Sequence, residues 1–137
     1  MSSRTVSSGG SGAAGRREVS QLKEEMERSL VSDAIDYMRL HFAEPLKLEK
    51  VARHVGCSAC YLSRRFQAER VCTFTYYLNR LRIEQSKLLL LNQSLTIADV
   101  GYMVGFSEQG YFIKVFRKYV GITPKQYQRF IKHSFLP

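Results

Sequence analysis

The chain has 137 residues, of which 45% are apolar and 24% charged, and its formal net charge is +9. That length sets one compact domain or two very small ones, the apolar share is enough for a core, and the basic balance favours a polyanionic partner. No apolar run is long enough to cross a membrane, residues 1–20 lack the core of a signal peptide, and three cysteines without a secretory leader point to free thiols in the cytoplasm.

Residues 1–15 are mostly Ser, Gly and Ala and cannot bury enough surface to offset their ordering entropy, so 1–17 is read as a disordered or artificial segment. Val19, Leu22, Met26 and Leu30 follow at helical spacing, making 18–30 a helical connector. This start suits a C-terminal fragment excised from a longer chain, with a small stand-alone protein as the alternative. The folded domain is expected over 31–137, which holds 16 Lys+Arg against 8 Asp+Glu, a net +8. Ser32 is expected to cap a helix carrying Ile35, Met38 and Phe42. Pro45 separates it from a helix over 48–55 that Gly56 stops. Ser58 caps a helix reaching Arg70. The spacing then predicts one long helix from Thr73 to Leu91, with Phe74, Leu78, Leu81 and Leu88 on a single stripe. A short helix opens at Leu95 or Thr96 and ends near Val104. Ser107 is expected to cap the next, which Gly121 stops, and Thr123-Pro124 begins the last. No segment alternates as a strand does. The class is all-α, with about seven helices.

A block repeats within this pattern. Val51, Val55, Gly56 and Ser58 recur 49 positions later as Val100, Val104, Gly105 and Ser107. Tyr61, Phe66 and Tyr77 recur 50 positions later as Tyr111, Phe116 and Tyr127. Each block is a short helix, a glycine turn and a second helix. Two helix-turn-helix units, about 48–70 and 96–120, on a basic chain point to DNA. Leu62 and Phe66 in one copy, and Phe112, Val115, Phe116 and Tyr119 in the other, must face inward. Cys60, Ser63, Arg64 and Gln67 then face outward, as do Gln109, Gly110, Ile113, Lys114 and Arg117. Arg can fork to guanine, Gln can pair with adenine, and Lys can reach bases or phosphate. A serine at each helix start leaves backbone N–H groups for phosphates.

Val31 to Arg129 resembles the DNA-binding domain of the AraC/XylS transcription regulators. The match rests on Val104-Gly105-Phe106-Ser107, Tyr111-Phe112, Phe116-Arg117-Lys118 and Gly121-Ile122-Thr123-Pro124 with Tyr127. Tyr61-Leu62-Ser63-Arg64, Phe66 and Tyr77-Leu78-Asn79-Arg80-Leu81-Arg82-Ile83-Glu84 add to it. The resemblance implies two helix-turn-helix subdomains joined by the long central helix, with the two reader helices in successive major grooves. It implies base contacts from Cys60, Ser63, Arg64, Gln109, Ile113 and Lys114, and phosphate contacts from Ser58, Gln67, Ser107, Arg117 and Lys118. It also implies transcriptional activation, with RNA polymerase as a second partner. Four positions depart from the family pattern. Val71 replaces the usual glycine after the first reader helix, where a left-handed cap would strain it, so the first unit is expected to end differently. Val100-Gly101 stands where the family has Ile-Ala, and the glycine costs up to ~1 kcal/mol against alanine. Gly110 offers a base no side chain. Ile113 offers apolar contact alone, for example to a thymine methyl.

His54, Cys57, Cys60 and Cys72 include a C-x2-C pair, but free thiols fit them better than zinc, because Cys57 falls on a turn and Cys60 on the outward face. The aromatic residues sit at core spacing rather than as stacking platforms. Arg80, Arg82 and Lys87 are expected to be solvated or ion-paired. No phosphate loop and no catalytic set is present, so neither an enzyme nor a cofactor is expected. The rival class is a protein–protein or single-stranded nucleic-acid module. The central helix, about 19 residues and 28 Å long at 1.5 Å per residue, suits two readers about one DNA turn apart. One monomeric chain would then read two unlike half-sites.

Overall fold

The computed structural model describes residues 12–134. Among them are seven helices, α1 (Gly12–His41), α2 (Leu48–Val55), α3 (Ala59–Arg70), α4 (Phe74–Leu89), α5 (Ile97–Met103), α6 (Gln109–Val120) and α7 (Pro124–Ser134), and no strand. The fold is all-α, as the pattern of apolar residues requires. Part of the segment expected to be disordered lies outside the described residues, but 12–17 belong to α1. Ser32 caps nothing: it lies exposed inside α1, which runs unbroken from the connector into the domain. No glycine or proline interrupts 18–41, and alternative caps lose to continued helix hydrogen bonding.

Two cores form, one for each unit. The first gathers Val31, Ala34, Ile35 and Met38 of α1, Val51 and Ala52 of α2, Leu62 and Phe66 of α3, and Phe74 and Leu78 of α4. The second gathers Ile83, Leu90, Val100, Val104, Phe106, Phe112, Val115 and Phe116. Helix α4 is the wall between them. Phe74, Leu78 and Leu81 occupy one side, while Asn79, Ile83 and Ser86 are buried on a side about 140° away at 3.6 residues per turn. The single stripe expected through Leu88 is therefore wrong. Leu88 lies on the first side but beyond the end of the first core, and it is exposed. The helix spans 16 residues, about 24 Å, because Leu90 already closes it as a C-cap.

The two units share their endings. Thr73 accepts a hydrogen bond from the Tyr76 N–H (3.0 Å) and Thr123 one from the Gln126 N–H (3.1 Å), so equivalent threonines start α4 and α7. Tyr77 meets Phe66 edge-on with centroids 5.4 Å apart, and Tyr127 meets Phe116 likewise at 5.5 Å. The start of α4 thus does for the first unit what α7 does for the second.

Candidate nucleic-acid interface

The sequence repeat becomes a repeat of helix faces. On α3 the buried side is Leu62 and Phe66, and on α6 it is Phe112, Val115 and Phe116. Cys60, Ser63, Arg64 and Gln67 are exposed on the outer side of α3. Their equivalents on α6, 50 positions on, are Gly110, Ile113, Lys114 and Arg117; all are exposed except the half-buried Ile113. Gln109, Lys118, Ser58 and Ser107 are exposed too. Every residue expected to touch DNA thus sits on the outer side or at the start of a reader helix. Arg64 lies over the Tyr61 ring with its guanidinium 5.8 Å from the centroid, a weak exposed contact that leaves its hydrogen-bonding fork free.

The reader starts differ between units. Ser58 caps α3, its Oγ accepting from the Tyr61 N–H at 3.1 Å. Ser107 does not cap α6. Glu108 occupies that position and makes no side-chain cap bond, leaving Ser107 one residue outside the helix. This is the physical content of the one-residue slip in the repeat: an extra residue enters the second turn and displaces the serine. Helix α5 carries the better cap, with Thr96 accepting from the Asp99 N–H (3.0 Å) and Asp99 from the Thr96 N–H (3.4 Å).

The reader ends coincide, against expectation. Val71 adopts φ 55° and ψ 34°, the left-handed cap that Gly121 adopts at φ 101°. Val71 is the one non-glycine with positive φ among the described residues, and its side chain is 82% exposed, so packing does not offset the strain. The turn into the Thr73 cap imposes it. Gly101 also proves to be more than a weak helix residue. A Cβ there would lie 2.7 Å from Phe112 Cδ2. The equivalent pair in the first unit is Ala52 and Leu62, so the second unit has exchanged a methyl group on one helix for a ring on the other.

Three tethers hold the readers. Glu27 of α1 accepts a hydrogen bond from the Tyr61 hydroxyl (2.8 Å) and pairs with Arg65 (3.7 Å), which also meets Glu69 (3.5 Å). The neighbouring carboxylate pushes the Tyr61 phenol above its ordinary range. Arg82, expected to be solvated or ion-paired, instead donates from Nε to the Phe42 carbonyl (2.7 Å) and from Nη2 to the Glu44 carbonyl (2.8 Å), and it covers the Phe106 ring. Burial lowers the pKa of its guanidinium. It joins the loop after α1 to the second unit's turn, and a Cβ at Gly105 would strike both Phe42 O and Arg82 Nε. Gln128 of α7 reaches the Leu90, Asn92 and Leu95 carbonyls, each at 3.4 Å, and closes the second unit.

Lys87 is ion-paired as expected, whereas the aromatic residues are not all core. Lys87, which pairs with Glu84 (3.5 Å), lines a groove of about 480 Å3 between α4 and α6 together with Arg80 and Lys118. Tyr76, Tyr102 and Tyr111 are exposed aromatics rather than core. Cys60 is exposed, Cys57 is half-buried with burial raising its thiol pKa, and no metal-sized cluster of His, Cys, Asp or Glu exists among the described residues.

Residues 51–129 match the family described as "Helix-turn-helix domain". An uncharacterized HTH-type transcriptional regulator of Staphylococcus aureus (strain MSSA476) is 38% identical over 98 residues; that covers 72% of this chain but only 13% of the relative's length. A transcriptional regulator of Chromobacterium violaceum with an AraC-type DNA-binding domain superposes with a TM-score of 0.72 at 25% identity, covering 80% of this chain and 96% of that structure. The DNA-binding domain of AdpA, solved with a target DNA, shares the fold at 20% identity, with a TM-score of 0.72 over 77% of this chain and 95% of its own. Two tandem helix-turn-helix units with paired outward reader faces, together with these likenesses, show that the chain belongs to the AraC/XylS family of DNA-binding transcription regulators, as the domain that such regulators carry for binding DNA.

Proposed function

We propose that this chain reads two unlike half-sites in successive major grooves on one face of a DNA duplex, and that it regulates transcription, chiefly by activation with RNA polymerase as second partner, in the cytoplasm. The observation that carries this reading is the pair of reader helices with equivalent outward faces and different exposed side chains. Arg64 forks to a guanine, Ser63 and Cys60 complete the first reading surface, and Gln109, Ile113 and Lys114 form the second. Ser58, Gln67, Ser107, Arg117 and Lys118 hold phosphates and set the register. Arg82 supports the rigid spacing that such reading needs, because it ties the units together beside α4.

Footprinting with helical-phase insertions tests the proposal. A duplex selected from random sequence binds one chain across two half-sites about 10 base pairs apart. Five inserted base pairs turn the second half-site to the opposite face and abolish specific binding. Competition with single-stranded and scrambled duplex DNA fails to displace the complex at equal concentration. Affinity falls steeply with salt, by about 0.9 in log–log slope per phosphate neutralised. Equal binding to the phased and unphased sites, or an obligatory dimer on a palindrome, overturns the two-groove reading.

A further inference from the structure

Residues 15–26 of α1 stand exposed on every side, and among them Val19, Leu22 and Met26 are 66%, 59% and 72% exposed. With the half-buried Leu30 they follow spacings of three, four and four, which keeps them within an arc of about 80° on a straight helix. Apart from Glu27, which Tyr61 and Arg65 already engage, the exposed charges beside the stripe are sorted by sign. Arg16 and Lys23 lie on one flank, Glu18 and Glu25 on the other.

We propose that this stripe is a seam for the same helix of a second copy, packed parallel. The flanks select both the partner and its direction. In a parallel pair the acidic flank of each helix faces the basic flank of the other, and Glu18 meets Lys23 of the second copy twice by symmetry. An antiparallel pair would set Arg16 and Lys23 against themselves, and the two glutamates likewise. The seam ends at the first unit, where Leu30, Gly56, Cys57 and Tyr61 continue one groove with Met26. Beside it, Glu27 holds Tyr61 and Arg65 of the reader helix, so pairing of α1 fixes where the two first readers stand. One 11-residue repeat buries little area, and the association is weak in free solution. It strengthens once two chains occupy neighbouring sites, where the second contact becomes intramolecular. Each chain still reads its own pair of half-sites.

Sedimentation equilibrium of the whole chain without DNA tests this independently of any DNA-binding role. The parent chain self-associates reversibly to a dimer at high protein concentration. Glu18→Lys and Lys23→Glu each weaken that dimer about tenfold, because two attractive pairs become repulsive. An equimolar mixture of the two variants, and the Glu18→Lys/Lys23→Glu double variant, both regain the parent's strength. Met26→Glu removes the dimer with the helix content unchanged by circular dichroism. A parent that stays monomeric up to its solubility limit overturns the proposal. So does a dimer indifferent to both charge reversals, or a mixture no stronger than either single variant.

Discussion

The two helix-turn-helix units share a backbone plan and differ in chemistry. The first reader presents Cys60, Ser63, Arg64 and Gln67, one cation among hydrogen-bonding groups. The second presents Gln109, Gly110, Ile113, Lys114, Arg117 and Lys118, three cations beside two positions with no polar side chain. Arg65 adds nothing to the first surface, because Glu27 and Glu69 neutralise it. In the proposed reading a fork such as Arg64 discriminates bases, whereas Arg117 and Lys118 attract any phosphate. The lesson is that the repeat preserves the helix-turn-helix plan while the exposed chemistry of each copy diverges. The supports differ in the same way. The first unit leans on the long α1, and the second is closed by α7 and by a ring packed where the first has a methyl group.

Substitutions in both units break or sharpen this contrast. The largest effect is expected from Gly101→Ala, which drives a methyl group into Phe112 and costs about 1–3 kcal/mol by overpacking. Phe112→Leu in the same chain recreates the first unit's pair and recovers most of that loss; denaturant unfolding of the two single variants and the double reads the coupling. If the double were no more stable than Gly101→Ala alone, the two units would not be exchanging volume between these positions. Arg64→Ala comes next. It costs about 1–3 kcal/mol at one base pair and relaxes the preference there, measured by binding to a panel of single-base variants of the site. Lys118→Ala has the smaller and sequence-blind effect, weakening all duplexes alike and lowering the salt slope by about 0.9. Loss of base preference from Lys118→Ala, or an unchanged preference after Arg64→Ala, would reverse the proposed division of labour. The smallest change is a gain. Val71→Gly relieves a β-branched residue in a left-handed cap and stabilises the chain by about 1 kcal/mol, less the entropy glycine loses on folding. Gly121→Val in the second unit costs a similar amount, and a thermal melt of each reports the sign.

Much of the fold could be read from residue order. The helix stops at Gly56 and Gly121, the Thr73 and Thr96 starts and the inward pairs Leu62/Phe66 and Phe112/Phe116 are local signals, set by caps and by a 3.6-residue period. The outward reader faces follow by subtraction, which is why the eleven expected contact residues are all exposed except the half-buried Ile113. Leu88 misled because a stripe shows which residues share a side but not how far the opposing core extends. Ser32 misled because a good capping residue has no cap to make where the preceding residues also favour helix.

What only the tertiary structure decided concerns groups far apart in sequence. Arg82 reaches carbonyls about 40 positions away, and no local pattern marks a guanidinium that will satisfy backbone oxygens rather than water. Glu27 meets Tyr61 across 34 positions. Gly101 is explained by a ring eleven residues on, visible only when α5 and α6 cross. Val71 accepts the left-handed region because the path into α4 demands it, a constraint set by where two helices must go rather than by the residue between them. Periodicity and capping act within a turn or two of helix, so residue order determined the elements and their faces. Closing those faces into two cores around α4 is a long-range choice, and it alone decided which polar groups became tethers.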